Sequence, residues 1–366
     1  MFKNRCIRFI LFITCFSLFY ASEGLTAGNG NVCYILNIHH GRMTPHYTLQ
    51  AALNQDKITG FDLNAIFLNS NEATVMSSAP GVGYFLSNLG NNEVYGHVHA
   101  AYFSLLFPLL TATHPVQLKL GLGPGYVTQK HDPADNPLNR ALGSHINAYG
   151  QISLTGGIPL VKDRWLLRAG ISFNHVSNGL IKAPNQGINT LTFHAGVDLN
   201  SDHRHSGAFA IGQNQERAQR HNFSILFAPG IKEVDEAADK KIFTSGLLLD
   251  YAYGILPALN TGLGVGLYYN DTWAHGPYSS FGEEGSPFPF QAAAHLVLEL
   301  EKNPVTVILN PGFYIYKPTK NIPDFTGRLG MRYSFKNNLT LMFAVKHHWF
   351  ALADYFEWGI GYRFFR

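Results

Sequence analysis

Two stretches of strict alternation, Trp165 to Ser177 and Asn189 to Leu199, constrain this chain more than any other feature. In the first, Trp165, Leu167, Ala169, Ile171 and Phe173 share one parity, and Arg168, Gly170, Ser172 and Asn174 share the other. In the second, Leu191, Phe193, Ala195, Val197 and Leu199 alternate with Thr190, Thr192, His194, Gly196 and Asp198. Successive strand side chains point to opposite faces, so a period of two means strand and excludes helix. The two stretches read as a β-hairpin with one oily face. His175, Ser177 and Asn189 all fall on that oily parity. If Ser177 pairs with Asn189 and His175 with Leu191, a hydroxyl, an imidazole and an amide meet on a face otherwise made of hydrocarbon.

The same period recurs along the chain. Sixteen candidate strands follow from it, near 33–39, 58–69, 81–87, 95–107, 116–129, 145–158, 165–177, 189–200, 220–234, 242–255, 260–270, 288–300, 304–316, 325–335, 339–349 and 355–365. Past the N-terminus no apolar run approaches the ~20 residues of a membrane-spanning helix. A large soluble β-sandwich and a membrane barrel both fit, because parity does not say whether the oily face meets a core or lipid. Two features favour the barrel. The last strand alternates Phe356, Trp358, Ile360, Tyr362 and Phe364 with Glu357, Gly359, Gly361 and Arg363. Short connections (159–164, 259–261, 302–304, 336–338) also alternate with long ones (130–144, 178–188, 271–287), as between the two sides of an outer membrane. The expected fold is all-β: one transmembrane antiparallel β-barrel of about 12–16 strands. It would occupy residues 25–366 as a single domain, without a Pro- or Ser-rich linker.

Lys3, Arg5 and Arg8 precede the apolar run Phe9 to Tyr20, which is too short to cross a bilayer. Residues 1–24 therefore read as a cleaved signal peptide, with cleavage after Gly24 or as late as Ala27. Cleavage removes Cys6 and Cys15, and Cys33 alone cannot close an internal disulfide. A formal charge of +3 without a basic stripe excludes a nucleic-acid partner.

The residues Asn174-His175-Val176-Ser177-Asn178-Gly179 and Lys182-Ala183-Pro184-Asn185-Gln186-Gly187-Ile188-Asn189 carry a family resemblance. They resemble the active-site hairpin of the PagL-type lipid A 3-O-deacylases, in particular the longer members labelled acyloxyacyl hydrolase. Gly121 to Tyr126, Gly143-Ser144-His145, His348-Trp349 and Glu357 to Tyr362 are similar as well. The resemblance implies a serine esterase of the Gram-negative outer membrane that acts on lipid A of lipopolysaccharide. It implies Ser177 as nucleophile, His175 as general base and Asn178 and Gly179 as oxyanion donors, with no cofactor. A serine hydroxyl needs a neighbouring imidazole to take its proton, so the pair makes chemical sense. The family has an acidic residue twelve positions after its serine, and this chain has Asn189 there. An amide can still accept a hydrogen bond from the imidazole, but it brings no negative charge.

Other polar residues have plainer readings. His39, His40 and His46 match no metal-ligand spacing and read as surface histidines. Asp132 and Asp135 sit in a long loop, where divalent ions bridging lipopolysaccharide phosphates are the alternative to a plain turn. Trp165 and Phe173 read as lipid-facing girdle, and Lys346, His348, Glu357 and Arg363 as a polar network inside the barrel. The rival to the esterase is a non-catalytic pore or surface scaffold, in which a wide barrel encloses water.

Overall fold

A computed structural model describes residues 31–68, 78–109, 115–161, 165–199, 221–233, 240–256, 258–270, 272, 289–318, 322–348 and 352–365. The expected signal peptide lies outside them. Among the described residues are sixteen strands and a single short helix, α1 (Thr48–Leu53). The first eight strands are β1 (Asn31–Met43), β2 (Ile58–Leu68), β3 (Ala79–Asn88), β4 (His97–Pro108), β5 (Val116–Val127), β6 (Ile146–Val161), β7 (Trp165–Ser177) and β8 (Ile188–Leu199). The second eight are β9 (His221–Glu233), β10 (Lys241–Leu256), β11 (Leu259–Asn270), β12 (Phe290–Lys302), β13 (Val305–Tyr316), β14 (Phe325–Ser334), β15 (Leu339–His348) and β16 (Leu352–Phe365). Every one of the sixteen expected strands is present. The turn expected at 259–261 falls just before it, because β11 already begins at Leu259.

The strands do not close as one sheet. β1 to β8 form a closed antiparallel barrel through the β1–β8 pair, and β9 to β16 form another through β9–β16. The chain divides accordingly into two compact units, with the short segment Gly179–Asn185 grouped with the second. This corrects the expectation of a single barrel. Alternation has the same period in an eight-stranded sheet and in a sixteen-stranded one, so it cannot report where closure occurs. The segment 201–220, dense in His, Arg, Gln and Asn, is the sequence signal of the break.

Both barrels are polar inside and oily outside. On β7 the residues Trp165, Leu167, Ala169, Ile171 and Phe173 are exposed, while Leu166, Arg168, Ser172 and Asn174 are buried. Trp165 and Phe173 thus face outward, as their parity required. In the first interior the Lys119 ammonium lies 2.7 Å from Asp62 and 3.1 Å from Asn64. Tyr102 also donates to Asp62, and Arg168 pairs with Asp198 at 2.6 Å. Cys33 is buried and free. In the second interior Arg328 forks onto Glu357, and Arg332 reaches Glu299 at 2.8 Å. Arg363 bridges Glu299 and Glu301, and Lys232 and Lys346 share Asp354. Lys346, Glu357 and Arg363 accordingly belong to an internal network, and His348 lies 3.5 Å from Asp354. An eight-stranded barrel has room for side chains and little else. The pore reading rested on a wider barrel than either of these eight-stranded rings.

In the first unit the β1–β2, β3–β4, β5–β6 and β7–β8 connections all leave the same end, as an up-and-down order requires. Val94, Tyr95, Ala141 and Leu142 from two of them pack with Phe85 and Tyr149 in one apolar cluster. Burial pushes the Tyr95 phenol up to about 12. Asn139 donates to the Val94 carbonyl at 2.9 Å, and His131 N–H donates to the Leu142 carbonyl at 2.7 Å. This plugged end is where β7 and β8 carry their polar residues.

Candidate active site

β7 and β8 pair with His175 opposite Asn189 and Val176 opposite Ile188. The register expected from sequence, Ser177 opposite Asn189, is therefore displaced by two residues. The reason is where β8 starts. Ile188 is its first residue and already takes Val176, so Ser177 lies beyond the last β8 pair and finds its strand partner, Ala148, on β6. A shift of two preserves parity, so the three side chains stay on one face.

The displacement improves the geometry. His175 Nε2 lies 2.9 Å from Ser177 Oγ, and its Nδ1 is hydrogen-bonded to Asn189 Oδ1. Direct cross-strand neighbours have their side chains closest, which is what brings the amide onto the imidazole. With Nδ1–H donating to the amide oxygen, Nε2 is left to accept from the serine hydroxyl. Ser177 is 4% exposed and Asn189 8%, whereas His175 is half-buried. Water is thus largely excluded from the hydroxyl while the imidazole keeps an open edge.

Gly187 completes the wall. It has φ +69°, and a Cβ there would lie 3.0 Å from His175 Cε1 and 3.3 Å from Ser177 Cβ. A side chain would be strained and would press on the pair. Its backbone is fixed on both sides: its N–H donates to the Ala141 carbonyl at 3.0 Å, and its carbonyl accepts from Gln50 at 2.9 Å.

Asn178 follows directly. Its side-chain amide donates to Ser144 Oγ at 3.1 Å, and Ser144 Oγ donates to the Ile146 carbonyl at 2.7 Å. Gly179 belongs to the second unit, where it has φ +58° and a Cβ would meet the Phe356 ring at 2.6 Å. In that unit Lys182 pairs with Glu233 at 3.1 Å, and Glu233 N–H donates to the Leu180 carbonyl at 2.7 Å.

One residue read as a surface histidine belongs to the site. His46, from the β1–β2 connection, accepts through Nε2 a hydrogen bond from Asn189 Nδ2. It remains exposed, but it is not idle. His39 and His40 go elsewhere: adjacent on β1, they point to opposite faces. His39 is buried with Nδ1 3.0 Å from Thr192 Oγ1, and His40 is exposed. Among the described residues no three His, Cys, Asp or Glu converge as a metal site. Asp132 folds its own turn instead. Its Oδ1 accepts from the N–H groups of Ala134 and Asp135, which hold the carboxyl below its usual range.

Comparison with known proteins separates the two barrels as the structure does. Residues 59–198 match the family model described as lipid A 3-O-deacylase (PagL), and residues 221–366 match acyloxyacyl hydrolase, C-terminal domain. None of the curated proteins matches the chain. Solved structures with some likeness include the siderophore receptor PirA from Acinetobacter baumannii, at 10% identity and TM-score 0.26, covering 88% of this chain and 68% of that one. CdiB from Acinetobacter baumannii shows 9% identity and TM-score 0.21 over 92% of this chain and 60% of its own. A Rh. blastica porin variant shows 9% identity and TM-score 0.18 over 92% and 100%. Scores this low leave the fold to be read from this chain alone. The two family models fall one on each barrel and between them span most of the sequence, so this protein belongs to the lipid A 3-O-deacylase (PagL) family.

Proposed function

We propose that the first barrel is an outer-membrane serine esterase that removes an ester-linked acyl chain from lipid A of lipopolysaccharide. The observation that carries this reading is the 2.9 Å contact of His175 Nε2 with Ser177 Oγ on the outward strand face, backed by Asn189 on Nδ1. Ser177 Oγ attacks the ester carbonyl as its proton passes to His175 Nε2. The backbone N–H of Asn178 stabilises the oxyanion. Collapse breaks the bond to the sugar oxygen, which leaves with the proton held by His175. Water, deprotonated by His175, then attacks the acyl-serine, and Ser177 Oγ leaves with that proton from His175, giving a fatty acid, the free sugar hydroxyl and the regenerated serine. Asn189 keeps the proton on Nδ1, so that Nε2 is the nitrogen that takes and returns each proton. Exclusion of water from Ser177 strengthens each of these polar interactions.

The outward faces support a membrane setting. Ile152, Ile171, Phe173, Leu191 and Phe193 of the first barrel are exposed, as are Phe223, Ile225 and Phe227 of the second. Leaving such a side chain in water rather than in an apolar medium costs about 1.5–3 kcal/mol each. Continuous apolar walls of this kind mark a membrane surface.

The decisive experiment is mass spectrometry of lipopolysaccharide incubated with refolded wild-type protein and with Ser177→Ala. The wild type is expected to release one acyl mass. The variant should lose roughly three to six orders of magnitude of rate while showing unchanged heat-modifiable gel migration. Equal activity in the two proteins refutes the mechanism.

A further inference from the structure

The residue that orients His175 is an amide, and an amide can be turned either way. With oxygen toward His175 it accepts the Nδ1 proton, and Nε2 is free to act as base on Ser177. With nitrogen toward His175 it donates instead, the imidazole carries its proton on Nε2, and the base is lost. A carboxylate has two oxygens and never faces this choice. Replacing an acid by Asn189 therefore creates a need that the acid did not have: something must fix the amide's orientation.

We propose that His46 is that positioning residue. Its Nε2 accepts from Asn189 Nδ2, which aims Oδ1 at His175. The segment bearing His46 is mounted on the same short stretch of chain. Thr44 N–H donates to the Asn189 carbonyl at 2.9 Å. Gln50 Oε1 accepts from the His46 N–H at 3.1 Å, and Gln50 Nε2 donates to the Gly187 carbonyl at 2.9 Å. Gln50 is 2% exposed, so this bridge is fixed inside the loop packing while the His46 ring stands outside it. The active unit is thus a relay of four side chains, Ser177, His175, Asn189 and His46. When His46 Nε2 accepts from the amide and His175 Nε2 accepts from the hydroxyl, each ring carries its proton on Nδ1. The proposal rests on the esterase reading of Ser177 and His175.

The test measures lipopolysaccharide deacylation in mixed micelles by wild-type protein, His46→Leu, His46→Lys, His46→Gln, Asn189→Asp and the double variant His46→Leu with Asn189→Asp. Leu and Lys offer no acceptor to the amide, and each should lower kcat roughly 10- to 100-fold with KM unchanged, a fraction of the ~10⁴ loss that a wrong tautomer causes in a serine protease. His46→Gln, whose Oε1 accepts at the place of Nε2, should stay within about threefold of wild type. In the Asn189→Asp background the His46→Leu change should cost less than about threefold, because a carboxylate needs no such control. Wild-type rates in His46→Leu and His46→Lys overturn the proposal, as does an equal loss in the Asn189 and Asp backgrounds. NMR of isotope-labelled histidine on the same samples separates this outcome from failure of the esterase reading. Even if wild-type protein deacylates nothing, His175 should carry its proton on Nδ1 in wild type and shift to Nε2 in His46→Leu. An unchanged tautomer overturns the proposal.

Discussion

The two barrels use the same strand number and the same inside-out alternation, yet their interiors are held differently. The second is a lattice of paired ions: Arg328 with Glu357, Arg332 and Arg363 with Glu299, Lys232 and Lys346 with Asp354. The first relies more on neutral groups, with Ser172 Oγ 3.1 Å from His194 Nδ1, Tyr149 bonded to Asn174 at 2.9 Å, and Asp62 satisfied by Tyr102 and Asn64 as well as Lys119. Only the first carries the serine. Its seventh strand ends His175-Val176-Ser177, whereas the seventh strand of the second ends Lys346-His347-His348 and continues into Trp349. There Lys346 and His348 face Asp354, and Lys346 also donates to the Tyr314 hydroxyl. On the esterase reading, eight strands host chemistry in the first barrel and paired charge in the second, and the difference resides in a few strand-end residues.

That contrast can be broken from either side. The largest effect is expected inside the second barrel, where Glu357 is fully buried and its bidentate partner is Arg328. Arg328→Leu should cost about 3–5 kcal/mol in urea unfolding from lipid vesicles, because it strands a buried charge. Lys119→Met in the first barrel should cost less, about 1.5–3 kcal/mol in the same assay, because Asp62 keeps its hydroxyl and amide donors. Equal costs would mean that the two interiors are stabilised alike.

At the strand ends the expected effects are smaller. Gly187→Ala places a Cβ at φ +69° beside His175, at about 1–2 kcal/mol of strain. It should lower kcat while leaving barrel assembly, read by heat-modifiable migration, intact. Asn189→Asp supplies the charge that the amide lacks, and kcat should rise by about tenfold, or ~1.4 kcal/mol. An unchanged rate would mean that the imidazolium in this site needs no counter-charge.

The strands, their parity and the residues facing outward were all legible in the sequence, because alternation is a local property that each strand states for itself. That Ser177, His175 and Asn189 share one face was legible for the same reason, and the family motif drew attention to them. Closure was not legible, because it depends on Tyr34 meeting Leu199 and on Ile225 meeting Tyr362, pairings between residues far apart in sequence. The hairpin register failed by two residues, since parity fixes a register only modulo two and the start of β8 decides the rest. His46 was missed because it reaches Asn189 across 143 positions from a loop without periodicity. With His39 and His40 it read as a surface histidine, and the fold sends the three to different places.

The outward placement of Ser177 and His175 has a consequence for how such a catalyst would be measured. A serine on the outer wall of a barrel, rather than in its lumen, meets its ester by diffusion in two dimensions. On the esterase reading, the quantity that sets its rate is the mole fraction of substrate among neighbouring lipids, and not molarity in the surrounding water. Diluting lipopolysaccharide with inert detergent at constant bulk concentration would then slow the reaction as effectively as removing substrate.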